Sequence, residues 1–331
     1  MRIMGRPRGL IAVLAGALLL SGCGAGPSQV GAAVIIGDRS TSVDQVQSLI
    51  DKAVREQPVA QQLASQHKVD LIGREVVRQL VVHELVTRAA KQEGLTVDET
   101  QVAKAMQRDP LAGQASTEAQ DPSAAVTDVV NRVRDHREAL TDNLLLGELA
   151  LKYLPKMATT ADFALPVVDR DMTADAARAR AVAVAKEVAA NPSAAASVFM
   201  REKQANGTKA GSDKFVALQY AGTPLTALFG VPVGTVIAVQ TSPSSVTGWA
   251  VLVVRQRETD KPQSVDQTVQ PTPALLAAFG RSLLAPYFSQ LDLRINPRYG
   301  VWDVVSMDLA PTEAATKGVV LFPHGAAAVQ Q

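Results

Sequence analysis

Residues 69–94 read VDLIGREVVRQLVVHELVTRAAKQEG, and this stretch decides the fold. Ile72, Val76, Val77, Leu80, Val81, Leu85, Val86 and Ala89 recur at three- and four-residue spacings, which puts them on one broad face of a helix. Gly94 follows the last periodic position, where a left-handed cap residue ends a helix. Leu80, Leu85, Leu144 and Leu284 are expected to pack against one another in a largely helical core.

Outward toward the N-terminus, Ala32 to Ile36 reads as a short strand running into a turn at Gly37-Asp38. Ser42 with Gln45 has capping-box spacing, and Val43, Val46, Leu49, Ile50 and Val54 give the helix that follows one apolar stripe. Toward the C-terminus, Thr96 with Glu99 predicts a second capping box and a short helix. Asp109 to Pro122 reads as a loop, and one helix is expected from about Ala124 to Leu154. The chain then changes character. Phe163 to Val168 reads as a strand, Thr173 caps an alanine-rich helix over Ala174 to Ala190, and Phe215 to Tyr220, Val236 to Gln240 and Trp249 to Arg255 are β-rich. A last amphipathic helix is expected over Pro273 to Leu291. The segment from Pro311 onward is rich in Ala, Pro and Thr and reads as disordered.

The first residues carry a separate signal. Arg2, Arg6 and Arg8 precede Leu10 to Leu20, an apolar run of 11 residues interrupted only by Gly16. A bilayer span needs about 20 apolar residues, so this is the core of a signal peptide. Leu20-Ser21-Gly22-Cys23 resembles a bacterial lipobox, with small residues before the cut and a thiol to take diacylglycerol. Cys23 is the only cysteine in the chain, and an unpaired thiol in an exported protein calls for such a role. The competing readings are an ordinary secreted protein with an incidental cysteine, or an uncleaved signal anchor. The net charge of +1 argues against nucleic acid as a partner.

No catalytic constellation can be assigned: there is no Gly-x-Ser-x-Gly, no His-Glu-x-x-His and no phosphate-binding glycine loop. His83 lacks a partner at helical spacing and is assigned a structural role, so no metal site or cofactor is expected. Asn206-Gly207-Thr208 matches a glycosylation sequon and is read as a turn.

The order of these segments resembles the SurA/PrsA family of extracytoplasmic foldases. Ala33-Val34-Ile35-Ile36-Gly37-Asp38 with Val43 and Val46 is similar to the family's opening strand and helix. Val77 to Val97, with Glu93-Gly94-Leu95-Thr96-Val97, is similar to its second helix and the turn after it. Ile295 to Asp303 resembles the Asn-Pro-Arg-Tyr-Gly-x-Trp ending of actinobacterial members. The resemblance implies an α+β protein, mainly helical. Residues 1–22 are the signal peptide and 23–31 a tether. Residues 32–160 plus 272–305 form a helical chaperone domain. Residues 161–260 form an inserted, small parvulin-like α/β domain, and 306–331 a disordered tail. Parvulins are peptidyl-prolyl isomerases, but the family's first-strand histidine is replaced within Ala164-Leu165-Pro166-Val167-Val168. Its glycine-histidine pair is replaced by Gly248-Trp249. None of the four histidines (His67, His83, His136, His324) lies in the insert.

The resemblance thus implies a lipid-anchored chaperone outside the cytoplasm that binds unfolded or nascent exported polypeptides without strong isomerase activity. The alternatives are a scaffold lipoprotein for a fixed envelope partner, and an active isomerase. Val81, Leu85, Leu145, Leu284, Tyr287 and Phe288 are the candidate peptide-contact residues, since a groove for many clients needs broad apolar surface.

Overall fold

The computed structural model describes residues 31–116, 122–165, 172–206, 209–242, 248–264, 270–288 and 290–323. Cys23, the signal segment and most of the tether lie outside the described residues, as do parts of the sequon and of the 163–168 strand.

The chain forms a mixed α+β structure with two lobes. β1 (Ala32–Ile36) pairs antiparallel with β2 (Arg39–Ser42). α1 (Val43–Glu56) starts at a reciprocal capping box between Ser42 and Gln45. α2 (Pro58–Ser65) and α3 (Val69–Glu93) follow, and α3 ends at Gly94 with φ 64°. α4 (Glu99–Arg108) is capped by Asp98, whose carboxylate accepts from Thr100 N; the expected Thr96–Glu99 box does not form. The single helix expected over 124–154 is two, α5 (Pro122–Val133) and α6 (His136–Tyr153). Asp135 breaks it: its side chain accepts from Glu138 N at 2.8 Å and opens a new N-terminus.

The second lobe begins earlier than 161, at β3 (Ala158–Ala164). α7 (Ala174–Ala190), capped by Thr173, and α8 (Ala195–Asn206) precede β4 (Ala210–Val216). The Phe215–Tyr220 stretch is only partly strand. After β4 it turns into the short helix α9 (Ala217–Tyr220), followed by α10 (Ala227–Gly230). β5 (Val236–Gln240) and β6 (Trp249–Glu258) complete the lobe's own strands. The last predicted helix splits into α11 (Pro273–Ser282) and α12 (Ala285–Phe288).

β7 (Leu293–Ile295) then pairs with β1, giving the order β2-β1-β7, so the two ends of the helical lobe are joined by backbone hydrogen bonds. β8 (Val301–Asp303) and β9 (Asp308–Ala310) form a hairpin. The expected disordered tail is a further correction. β10 (Gly318–Leu321) adds to the edge of the five-stranded antiparallel sheet, order β10-β5-β6-β3-β4. Gly-Val-Val-Leu is a strand-forming run once an apolar edge is there to receive it.

The lobes share a core. One continuous cluster of buried side chains runs from Val34 and Leu85 through Phe279 and Leu284 to Ile237 and Leu252 on one face of the five-stranded sheet. The other face carries Val236, Ala238 and Val251 and is covered by Ala181, Val184 and Val188 of α7 and Phe199 of α8. The central strands β5 and β6 thus bury alternate residues on both sides, which explains why the first part of β6 reads as an unbroken apolar run.

Candidate functional site

The peptide-contact residues expected from the sequence are mostly interior. Val81, Leu85 and Leu284 are fully buried, and Tyr287 and Phe288 nearly so. Leu145 is half-buried against the same cluster. The physical reason is that α11 and α12 pack back onto α3 and α6, so the apolar stripes cover one another. Tyr287 adds a polar tie: its hydroxyl donates to Glu93 at 2.7 Å, where Tyr153 and Lys152 also donate at 2.6 Å each. Burial works against the Glu93 charge, but these donors prevail and hold its carboxyl below the usual range. Burial and the bond to Glu93 push the Tyr153 hydroxyl up to about 12. This knot joins α3, α6 and α12 and is closed on itself.

Phe288, one of the six, borders an opening. It stacks on Trp302, ring centroids 5.6 Å apart at 12°, and both line a cleft of about 1130 Å³ between the lobes. One wall is α7, with Arg178, Val182 and Lys186; the other is the 293–305 segment; the floor is β10 with Phe322 and Pro323. Its walls are mainly apolar. Arg178 donates to the neutral oxygens Glu313 O (2.8 Å) and Thr316 Oγ1 (2.7 Å). Asp303 is buried and spent on structure, accepting from Lys317 N (2.7 Å), Val305 N (3.0 Å) and Ser306 Oγ (2.8 Å). The cleft is large enough for a ligand of several residues, slightly larger than ordinary binding sites of about 300–1,000 Å³. Sequence reasoning missed it because its floor comes from the stretch expected to be a disordered tail. The Gly318–Leu321 run was the available signal.

A second cluster lies on the seam between α3 and α6. His83 Nδ1 is 2.8 Å from Asp142 Oδ1, and His83 Nε2 is 3.8 Å from Glu138 Oε2. These three residues are near enough to share a cation, the ligating atoms lying within 4.8 Å of one another. Arg134 already bonds both carboxylates, at 2.9 Å for Asp142, and also Gln79. A metal would have to compete with that guanidinium for both acids. Helical spacing could not reveal the group, because His83 and Asp142 are 59 positions apart.

The hydrogen bond to Asp142 favours the imidazolium and holds His83 above the ordinary imidazole value, against the effect of burial and of Arg134. Folding therefore favours proton uptake at His83. Its stabilisation is complete below about pH 6.5 and fades as pH rises through the folded-state value. Thermal melting between pH 5.5 and 8.5 is expected to show the wild-type midpoint falling more steeply with pH than that of His83→Gln. Parallel slopes would refute this.

Across the five-stranded sheet, β3 and β6 are neighbours, with Ala164 opposite Val251. Both are fully buried, and Trp249 starts β6 packed against the α7 face. The titratable pair beside them, Asp162 on β3 and Arg255 on β6, is closed on itself as an ion pair at 2.7 Å, and Arg255 also donates to Pro192 O. No helix among the described residues is long and apolar enough to cross a membrane. The chain matches no known family model and no curated protein sequence.

Proposed function

We propose that this chain is a chaperone of exported proteins, held at the outer side of the cell membrane by lipid on Cys23, which retains exposed apolar segments without isomerising proline. The observation that carries the reading is the apolar cleft between the lobes, bounded by Trp302, Phe288 and β10. It is wide and mainly apolar, as a site for many sequences must be. The lobe spanning β3 to β6 stands where the family resemblance expects a parvulin-like domain. The apolar residues Ala164 and Val251 on its adjacent strands support the loss of isomerase chemistry.

The test uses the mature chain in two assays. It is expected to suppress aggregation of several unrelated unfolded proteins at near-equimolar ratio and to leave prolyl isomerisation of a model peptide at the uncatalysed rate. Turnover like that of an active isomerase would overturn the second half. Tight binding of one envelope protein with no suppression of aggregation would overturn the first and favour a scaffold.

A further inference from the structure

We propose that the outer edge of β10 takes up an extended client segment as a sixth strand of the sheet, the segment being apolar at alternate positions and carrying an acidic residue near α7. The proposal rests on the client-binding reading above and specifies how that binding is made.

The two edges of the sheet are β10 and β4, and they are built in opposite ways. β4 exposes Ser212, Asp213 and Lys214, and Lys214 is paired with Glu258 at 2.9 Å. Charged, exposed edges of this kind resist further pairing. β10 is Gly-Val-Val-Leu, without a charge, and all four residues border the cleft. Its recessed position between α7 and the 293–305 segment keeps out another folded sheet, while a single strand can enter.

The register fixes which backbone groups are available. Gln240 N donates to Lys317 O at 2.9 Å, and Gly318 to Leu321 then run antiparallel to Val239 to Val236. In an antiparallel ladder inward and outward pairs alternate. Val319 and Leu321 therefore bond toward β5, while the N–H and C=O of Gly318 and Val320 point away from it. Among the described residues nothing pairs with those outward groups. An added strand would satisfy them by β-augmentation. Its side chains would fall alternately toward Val182 on α7 and toward Trp302 and Val304, since successive strand residues face opposite sides.

Charge indicates the acidic residue. The cleft is lined by Arg178, Lys186 and Arg294 against Asp303 and Glu313. Arg294 is paired with Asp292 at 3.1 Å, and Asp303 is enclosed by its three donors. Arg178 meets only neutral oxygens, and Lys186 makes no ion pair among the described residues. The α7 wall is thus left with an excess of positive charge.

The experiment measures fluorescence anisotropy of a labelled eight-residue peptide, alternating valine with polar residues and carrying one glutamate, on the mature chain. Val320→Pro removes one outward N–H and leaves the inward bonds of Val319 and Leu321 in place. It is expected to weaken binding at least tenfold with the melting temperature unchanged. Lys186→Glu is expected to weaken it several-fold. The same peptide N-methylated at every residue is expected not to bind the wild type, and this arm decides the matter if Val320→Pro misfolds. Equal binding of plain and methylated peptide overturns the proposal. So does a wild type that suppresses aggregation yet ignores the peptide, which leaves the chaperone reading standing. Failure in both assays removes the chaperone reading and the proposal together. Sedimentation showing a dimer that Val320→Pro converts to monomer would make the occupant a second copy of this chain, again against the proposal.

Discussion

Arg78→Leu is expected to lower the stability of the fold by about 3 kcal/mol, because it leaves a buried carboxylate without its cation. Arg78 and Glu75 lie one turn apart on α3 and are both buried. Arg78 Nε donates to Glu75 Oε2 at 2.6 Å, Nη2 donates to Oε1, and Gln79 Nε2 donates to Oε1 at 2.8 Å. Burial opposes the charge on Glu75, but Arg78 outweighs it and holds the carboxyl below the usual range. Burial likewise opposes the charge on Arg78, and Glu75 prevails there too, with Asp308 at 3.6 Å assisting.

Breaking such a pair from one side costs roughly 3–5 kcal/mol. The lower end is expected here because a second guanidinium stands close. Arg281 on α11 is pushed down to about 10 by burial first and by Arg78 next. Removing Arg78 relieves that repulsion and leaves Arg281 and Gln79 to compensate Glu75 in part. Urea unfolding monitored by circular dichroism checks the size: at a slope of about 3 kcal/mol per molar, the midpoint falls by about 1 M. The double variant Glu75→Leu with Arg78→Leu should recover part of the loss, since neither member of the pair is then left without the other, while Arg281 keeps only Asp308 as a nearby acid. A double variant as unstable as the single one would show that packing, not charge, sets the cost.

This pair also marks where the sequence stops being readable. The limits of α3 and its glycine cap, the Ser42–Gln45 box, the Thr173 cap and the bounds of β5 are local features, set by residues within a few positions of one another. They were legible for that reason. Glu75, Arg78 and Gln79 look like the solvated side of an amphipathic helix. They are buried because α5, α6 and the β9 hairpin come to cover them, and those segments are 48 or more positions away. The break at Asp135 was hidden because Val133 and Leu140 keep a helical spacing across it. The split between α11 and α12 was hidden in the same way by Leu283 and Leu284. The apolar faces were correctly seen as apolar, but their use as core or as client surface depends on what covers them. β10 and the cleft floor it forms were missed because a four-residue strand is stable only when an edge is present to receive it.

Gly280→Ala is expected to cost about 3 kcal/mol, at the top of the range of roughly 1–3 kcal/mol for overpacking. Its backbone is ordinary helix, so the glycine is there for space. A Cβ on Gly280 would run into the carbonyl oxygen of Leu146 on α6. The obstacle is backbone in the middle of a helix and cannot swing aside as a side chain could. On the opposite flank, a Cβ on Gly230 of α10 would run into the carbonyl oxygen of Ser282. α11 is therefore held between the helical lobe and the sheet lobe, with a glycine giving room on each side. Forcing it outward would expose Phe279, Leu283 and Leu284, all buried, and would shift the chain leading to Trp302 and the cleft. The adjacent residue supplies the control. Gly147 on α6 has open space where a Cβ would stand, so Gly147→Ala should stabilise by about 0.5–1 kcal/mol through helix propensity alone. The same chemical change, made once at the crossing of α6 and α11 and once on α6 away from it, should then move the denaturation midpoint in opposite directions. Two shifts of the same sign would mean that the close crossing of α6 and α11 does not hold the lobes together.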